Sequence, residues 1–299
     1  MKKNLFIPKL CSISLTFILA QGVSYAMPGM HGSSSGVATE HPRVSNSLGG
    51  KINSTGSEME ITYSADGKTA IFVSTREGSI QSPGDTYSFD IWMSHQADGE
   101  WQEPIHLGPG IYPKVGPNIN TSTGEEHCPI IASDSLIYFS YHQPGVTQDS
   151  DIWKVEKKDG VWQKPESLGL KINSPQRDHM HWTGLSKDGK SLIITSTRTD
   201  LGSRGGHDEW ISHQNTEGEW QEPLNLGDAV NTGGEDMCWT FTPDGKKFTG
   251  SWGPHSTYDM DLRWVNKDDV PLLKDFEPIG PPPNLLINSK AKTDKPLQP

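Results

Sequence analysis

The sequence has 299 residues, of which 32% are hydrophobic, with 31 Gly, 22 Pro and 26 Lys and Arg against 37 Asp and Glu. This composition excludes a bundle of membrane helices, a collagen and a disulfide-rich scaffold. Disorder is also disfavoured, because 10 Trp, 7 Tyr and 8 Phe supply large surfaces for burial. The Gly and Pro content is typical of many short strands joined by tight turns.

The chain begins with the features of an export signal. Three lysines accompany an apolar run over residues 10–20, and Ser24-Tyr25-Ala26 offers the small residues that signal peptidases recognise. We therefore expect cleavage near Ala26, a periplasmic or secreted protein, and no membrane span. Without residues 1–26 the chain keeps 23 basic and 37 acidic residues, a net charge of −14. This charge disfavours nucleic acid and anionic lipid as partners.

Two markers recur along the rest of the chain. A Trp-Gln-x-Pro segment starts at Trp101, Trp162 and Trp220, at spacings of 61 and 58 residues, and Leu-Gly follows each copy. An Asp-x-Trp marker precedes each copy, at Asp90, Asp151 and Asp208, and a weaker version, Asp261-Leu262-Arg263, follows the last one. A fixed period of this length indicates a repeat architecture, here with four units.

Each unit contains the pattern of four short strands. An acidic cluster leads into the first strand, and a turn such as Asp66-Gly67 or Asp188-Gly189 joins it to the second. The Asp-x-Trp marker lies in the third strand and the Trp-Gln segment in the fourth. We therefore predict an all-β β-propeller of four blades, each with four antiparallel strands.

The ring is predicted to be closed by an N-terminal strand. Residues 42–49 end in Leu48-Gly49 and precede Lys51-Ile52-Asn53, as Leu168-Gly169 precedes Lys171-Ile172-Asn173, so they are candidates for the missing strand of the last blade. Residues 270–278 are a rival for that place. The predicted organisation is a signal peptide over residues 1–26, a flexible segment over 27–41, a propeller over 42–278 and a Pro-rich tail over 279–299.

The repeats resemble the TolB-type, WD-repeat-like propeller family of bacterial periplasmic proteins. Ser64-Ala65-Asp66-Gly67-Lys68, Asp90-Ile91-Trp92 and the segment from Gly99 to Gly108, with their copies, carry this resemblance over about residues 42–268. The resemblance implies a periplasmic protein-interaction module. It also implies alternatives, because related propellers carry peptidase-gating or metal-dependent polysaccharide lyase sites. Family members commonly have more than four blades.

Equivalent positions on the first strands should face one another around the central channel. Alignment of the four units predicts three rings: Glu58, Glu126, His179 and Asp236; Met59, His127, Met180 and Met237; Glu60, Cys128, His181 and Cys238. The third ring offers two thiols, an imidazole and a carboxylate, a complete set for zinc or copper. The second ring is a softer alternative suited to copper(I). Residues i and i+2 of a strand share a face, so the first and third rings should point the same way.

Other interpretations of these residues remain open. Cys128 and Cys238 can instead be joined by a disulfide or be inert small residues in a hydrogen-bonded plug. If the protein is a metal-dependent lyase or hydrolase, His179 or His181 is the candidate base, with Glu58 or Glu126 as its partner. A rim formed by Arg76, His142, Arg198 and His255 is a candidate site for an anionic glycan or another carboxylate ligand.

The sequence thus predicts an exported propeller that binds copper or zinc at its channel mouth. The first alternative is a non-catalytic scaffold that contacts another envelope protein or a glycan through the insertion at residues 109–124. The second alternative is the metal-dependent polysaccharide lyase or hydrolase. Serine hydrolases, zincins and nucleotide enzymes are disfavoured because their motifs do not occur.

Overall fold

A computed structural model describes residues 48, 50–80, 89–109, 116–142, 150–181, 184–242, 244–254 and 260–279. These residues form four antiparallel sheets, one for each repeat, arranged as the four blades of a β-propeller. The all-β, four-bladed prediction is confirmed. No helix in these ranges is both long enough and apolar enough to cross a membrane.

The first two blades each contain five strands. Blade one consists of β1 (Glu58–Tyr63), β2 (Thr69–Ser74), β3 (Asp90–Ala97), β4 (Glu100–Trp101) and β5 (Ile105–His106). Blade two consists of β6 (Glu125–Ser133), β7 (Leu136–His142), β8 (Ser150–Lys158), β9 (Val161–Trp162) and β10 (Glu166–Ser167). The predicted fourth strand is divided in both blades, because a proline between its two halves cannot donate to the ladder. Both halves pair with the third strand.

The third and fourth blades have fewer described strands. Blade three consists of β11 (Asp178–His179), β12 (Ser191–Ser196), β13 (Asp208–His213) and β14 (Leu224–Asn225). Blade four consists of β15 (Glu235–Phe241), β16 (Lys247–Gly253) and β17 (Asp261–Asn266), followed by two 3-10 helices, Lys267–Asp269 and Pro271–Leu273.

Neighbouring blades pack through the alternate apolar residues of their strands. Ile71 and Ile91 of blade one share a buried cluster with Ile137 and Phe139 of blade two. A second cluster joins blades two and three, and a third joins blades three and four. Successive strand residues point to opposite sides, so blades two and three each bury both faces against their neighbours. Trp153 and Trp210 of the Asp-x-Trp markers are part of this packing, and Trp210 is completely buried. Trp92 instead packs in a separate cluster with Ile52 and Phe72.

A repeated asparagine ties each blade to the segment that leads into the next. The Asn120 side chain accepts a hydrogen bond from the Ile91 N–H and donates one to the Ile91 carbonyl, both at 2.8 Å. Asn173 makes the same pair of bonds with Ile152. Asn231 makes them with Glu209. These side chains satisfy backbone groups of the third strand that are buried from water.

The fourth blade exposes the face that points away from blade three. Leu262 is 86% exposed and Trp264 is 55% exposed. The N-terminal strand predicted to cover this region lies outside the described residues, apart from Leu48, which packs on blade one against Phe72 and Trp92. The rival assignment of residues 270–278 as blade four's last strand is wrong. These residues instead form 3-10 turns and end beside blade three, where Pro278 pairs with Ser186.

Candidate functional site

The first strands begin with a ring of buried or half-buried acids held from the preceding loop. In each blade a Ser or Thr four or five residues earlier donates its backbone N–H to the carboxylate. The donor–acceptor pairs are Ser54–Glu58, Thr121–Glu126, Ser174–Asp178 and Thr232–Asp236. Asp178, not His179, is therefore the third member of this ring.

The predicted alignment of blade three is wrong by one residue. His179 takes the position of Met59, His127 and Met237, because it pairs with Thr195 on the second strand. Met180 is completely buried in the cluster between blades two and three, so it packs in the core instead of joining the methionine ring. The second ring is thus Met59, His127, His179 and Met237.

The chain bulges just after this ring. Glu60, Cys128 and Cys238 adopt left-handed φ values of 56°, 50° and 56°, and the strand register shifts at each of them. Left-handed φ is uncommon for residues other than glycine, and bulges of this kind redirect side chains next to functional sites. The same bulge at the same position in three blades turns the third-ring residues of those blades out of the regular alternation.

Blade three reaches the same region by a longer excursion. His179 pairs with Thr195, and the next pair is Leu185 with Leu192. Between these two pairs the first segment contributes six residues and the second strand three. In blade one the corresponding step is three residues against two. Blade three therefore has two additional residues in this step, and the Gly184 N–H donates a hydrogen bond to the His181 carbonyl at 2.7 Å. His181 still contacts a bulge, because its Nε2 accepts a hydrogen bond from the Cys238 N–H.

The predicted third ring is brought together by contacts between blades. The Cys128 N–H donates to Glu60 Oε2 at 2.7 Å, which joins blades one and two. The Cys238 N–H donates to His181 Nε2 at 3.2 Å, which joins blades three and four. Both cysteines are free thiols, Cys128 half-buried and Cys238 exposed, so the disulfide alternative is not formed.

The charges around this ring keep the thiols protonated and one imidazole charged. Burial and the Glu60 carboxylate raise the pKa of Cys128 well above its usual value, and burial with nearby carboxylates also raises the pKa of Cys238. Burial opposes the charge on His127, but Glu125 and Glu60 outweigh it and raise its pKa to about 10. Any metal bound by the thiols must therefore displace their protons.

Three histidines form a cluster on the blade-three side of the channel mouth. The ring centre of His179 lies 5.4 Å from that of His181 and 5.7 Å from that of His207, with both pairs edge to face. Burial, followed by the charges of the neighbouring rings, lowers the pKa of His179 well below its usual value, and burial lowers the pKa of His181 to about 4. These two imidazoles are consequently neutral at pH 7.

The third histidine is held by a carboxylate from the next blade. His207 donates its backbone N–H to Glu235 Oε2 at 2.9 Å, and its ring Nδ1 lies 2.5 Å from the same oxygen. This arrangement directs Nε2 away from the carboxylate. Neither residue was predicted as a site residue. The sequence signal for them is weak, since His207 only precedes the marker residue Asp208 and Glu235 only precedes the first-ring residue Asp236.

The other candidate residues have structural partners. Arg76 and Arg198 are 8% and 2% exposed, and each bonds a loop carbonyl and the first-ring acid of its own blade. Their guanidinium groups therefore offer no free charge at the rim. His142 is half-buried, and His255 lies outside the described residues. Glu58, which was a candidate partner of the catalytic base, forms an ion pair with Arg76. Its contact is that of a structural residue.

Glu126 is the most perturbed of the candidate catalytic carboxyls. It is completely buried, and burial outweighs its hydrogen bonds to Thr121 and raises its pKa to about 8. One carboxyl oxygen, Oε2, has no hydrogen-bond partner in the described structure. A group this deeply buried does not face a channel ligand as the chain stands. Across the described ranges, no three His, Cys, Asp or Glu side chains are already arranged to hold a metal ion.

No protein-family model matches this chain, and no curated protein does. Among solved structures, a puromycin-hydrolysing peptidase of Mycobacterium tuberculosis is similar over 75% of this chain and 31% of its own, with 15% identity and a TM-score of 0.42. An α-L-arabinofuranosidase of Lactobacillus brevis is similar over 74% of this chain and 74% of its own, with 12% identity and a TM-score of 0.39. The β-propeller domain of the Trilobed protease of Pyrococcus furiosus is similar over 74% of this chain and 57% of its own, with 10% identity and a TM-score of 0.32.

The chain spans only 30% and 31% of the first two peptidases that it matches. Similarity at this level supports no assignment of activity. The relationship to the TolB-type family stays a prediction.

Proposed function

We propose that this protein is an exported β-propeller, related to the TolB-type periplasmic family, that binds a copper or zinc ion at the mouth of its channel. The proposed ligands are Cys128, His181 and Cys238, with Glu60 as the fourth ligand or as an acceptor beside it. The observation that carries the proposal is the pairing of Cys128 with Glu60 and of Cys238 with His181 across blade boundaries. These two hydrogen bonds from backbone N–H groups support the proposal, because they bring residues far apart in sequence next to one another across two blade boundaries.

The chemistry of these residues favours a borderline or soft metal ion. Thiolate and imidazole ligands select zinc and copper, whereas calcium and magnesium prefer oxygen. Since both thiols are protonated before binding, uptake should release protons and weaken as the pH falls. The left-handed bulges at Cys128 and Cys238 support the proposal, because such conformations are costly and are concentrated at functional positions.

The test is metal analysis of the exported chain, purified after cleavage of its signal. We expect about one equivalent of copper or zinc per chain, and its loss in the double variant Cys128→Ser, Cys238→Ser. The exposed Cys238 also permits a single variant, Cys238→Ser, whose thermal midpoint without metal should equal that of the parent. Less than about 0.2 equivalents in the parent, or a content that the double substitution leaves unchanged, overturns the proposal.

The interaction scaffold and the metal-dependent lyase or hydrolase stay as predictions. For the scaffold, removal of residues 109–124 should abolish capture of an envelope partner or glycan while the chain stays folded. For the enzyme, anionic polysaccharides should be degraded after metal is restored. Neither prediction is favoured over metal binding by a specific contact among the described residues.

A further inference from the structure

We infer that His179, His181 and His207 form a three-imidazole site for a divalent transition-metal ion, with Glu235 as the residue that positions His207. This inference goes beyond the thiol site of the proposed function, with which it shares His181. The thiol site and the three-imidazole site are adjacent at His181. Its Nε2 atom accepts a hydrogen bond from the Cys238 N–H, and its ring meets the His179 ring edge to face.

The spacing of the rings fits a common metal ion. Zinc binds an imidazole nitrogen at about 2.0–2.1 Å, and a ring centre lies about 1.1 Å beyond that nitrogen, so tetrahedral coordination separates two ring centres by roughly 5 Å. The observed separations from His179 are 5.4 and 5.7 Å. β11 ends at His179 and His181 lies two residues beyond it, yet the two rings still meet edge to face.

Glu235 supplies the outer hydrogen bond that metal-binding histidines commonly have. Its Oε2 atom receives both the backbone N–H and the ring Nδ1 of His207, which sets the tautomer and leaves the Nε2 lone pair for a metal. His207 is further anchored because its carbonyl accepts from the Asp236 N–H at 2.9 Å. Blade four thus orients a ligand that blade three provides.

The imidazoles must reorient when the ion binds. No three His, Cys, Asp or Glu side chains in the described ranges share a coordination centre as they stand, and His181 is engaged with the Cys238 amide. Rotation of the His181 ring about its terminal torsion, which is a soft degree of freedom, releases that amide and turns a nitrogen toward the other two rings. His181 can then serve either set of ligands.

The test is titration of the chelator-stripped exported protein with Zn²⁺, followed by calorimetry. We expect His207→Gln or His179→Gln to weaken binding by at least about 100-fold, and Glu235→Gln to weaken it about 10–100-fold without a change in stoichiometry. The matched control is His213→Gln, an exposed histidine on strand β13, which should bind as the parent does. Thermal midpoints of the metal-free variants near that of the parent separate a ligand role from a structural one.

The cysteine variant distinguishes this inference from the proposed function. If the double variant Cys128→Ser, Cys238→Ser binds Zn²⁺ as the parent does while His207→Gln is weakened, the imidazole site stands and the thiol site fails. Co²⁺ bound by the parent should then show no thiolate charge-transfer band. If His207→Gln and His179→Gln both bind as tightly as the parent, the inference is overturned, whatever the cysteine variant does.

Discussion

Removal of the Asn120 side chain should destabilise the fold much more than removal of a neighbouring asparagine. In Asn120→Ala the Ile91 N–H loses its partner in a place without water, which costs about 1–3 kcal/mol. The Ile91 carbonyl keeps its bond from the Leu107 N–H at 3.1 Å, so loss of its second bond costs only about 0.5–1.5 kcal/mol. The two losses together lower the free energy of unfolding by about 1.5–4.5 kcal/mol.

The assay is thermal unfolding of Asn120→Ala beside its control, Asn118→Ala. Asn118 is exposed and lies two residues earlier, so the same atoms are deleted without a buried partner. In a domain of this size each kcal/mol moves the midpoint by about 2–4 °C, so we expect a decrease of roughly 3–18 °C for Asn120→Ala and a change below about 2 °C for the control. Midpoints that agree within about 2 °C would refute the argument that these side chains hold the blades together.

Three further predictions concern packing and charge. Gly234→Ala forces a Cβ against backbone atoms of blade four and should cost about 1–3 kcal/mol, whereas Gly233→Ala meets open space and should be neutral in urea unfolding. Arg198→Met leaves a buried carboxylate without its partner and should cost about 3–5 kcal/mol, against less than about 1 kcal/mol for Arg204→Met, whose ion pair is exposed. The pKa of Glu126 is raised to about 8, so the folded state keeps this proton to higher pH than the unfolded state does. The free energy of unfolding of the parent should therefore fall by up to about 1.4 kcal/mol per pH unit between pH 5 and 8, and that of Glu126→Gln should not show this decrease. Urea midpoints that change in parallel in the two proteins across that range would contradict this.

The metal-site tests complement these predictions, because they probe the channel mouth and not the frame around it. Asn120, Gly234 and Arg198 act on contacts within and between blades. Substitutions of His207 and Cys238 change the proposed metal sites instead. A variant of the second kind that loses metal but unfolds like the parent would therefore locate function at the mouth.

The repeat markers were sufficient to predict the blades. Trp101, Trp162 and Trp220 recur with the same turn before them and the same Leu-Gly after them, and hairpins depend mainly on such local residues. The division of the fourth strand was not predicted, although the proline in each Trp-Gln-x-Pro segment cannot donate a ladder hydrogen bond. The pairing of Asn120 with Ile91 has a sequence signal as well, an Asn before a Ser or Thr in every unit, but its meaning appears only when the bonds are seen.

The composition of the channel mouth was only partly predictable. Glu60, Cys128, His181 and Cys238 were grouped by alignment, and the structure brings Glu60 to Cys128 and His181 to Cys238. The same alignment misplaced His179 and Met180. Its error arose because blade three carries two additional residues between His179 and Leu185, so an alignment without gaps that fits His181 to the third ring displaces the residues before it by one position.

The sequence by itself determined the number of blades, their strand order and the approximate level of the proposed ligand residues, because repeats, turns and strand periodicity are local properties of the chain. Only the tertiary structure decided that blade three carries two additional residues before Leu185 and that His207 lies against Glu235. These two residues are 28 positions apart and belong to different blades. Their contact depends on how two sheets pack, which no local pattern specifies.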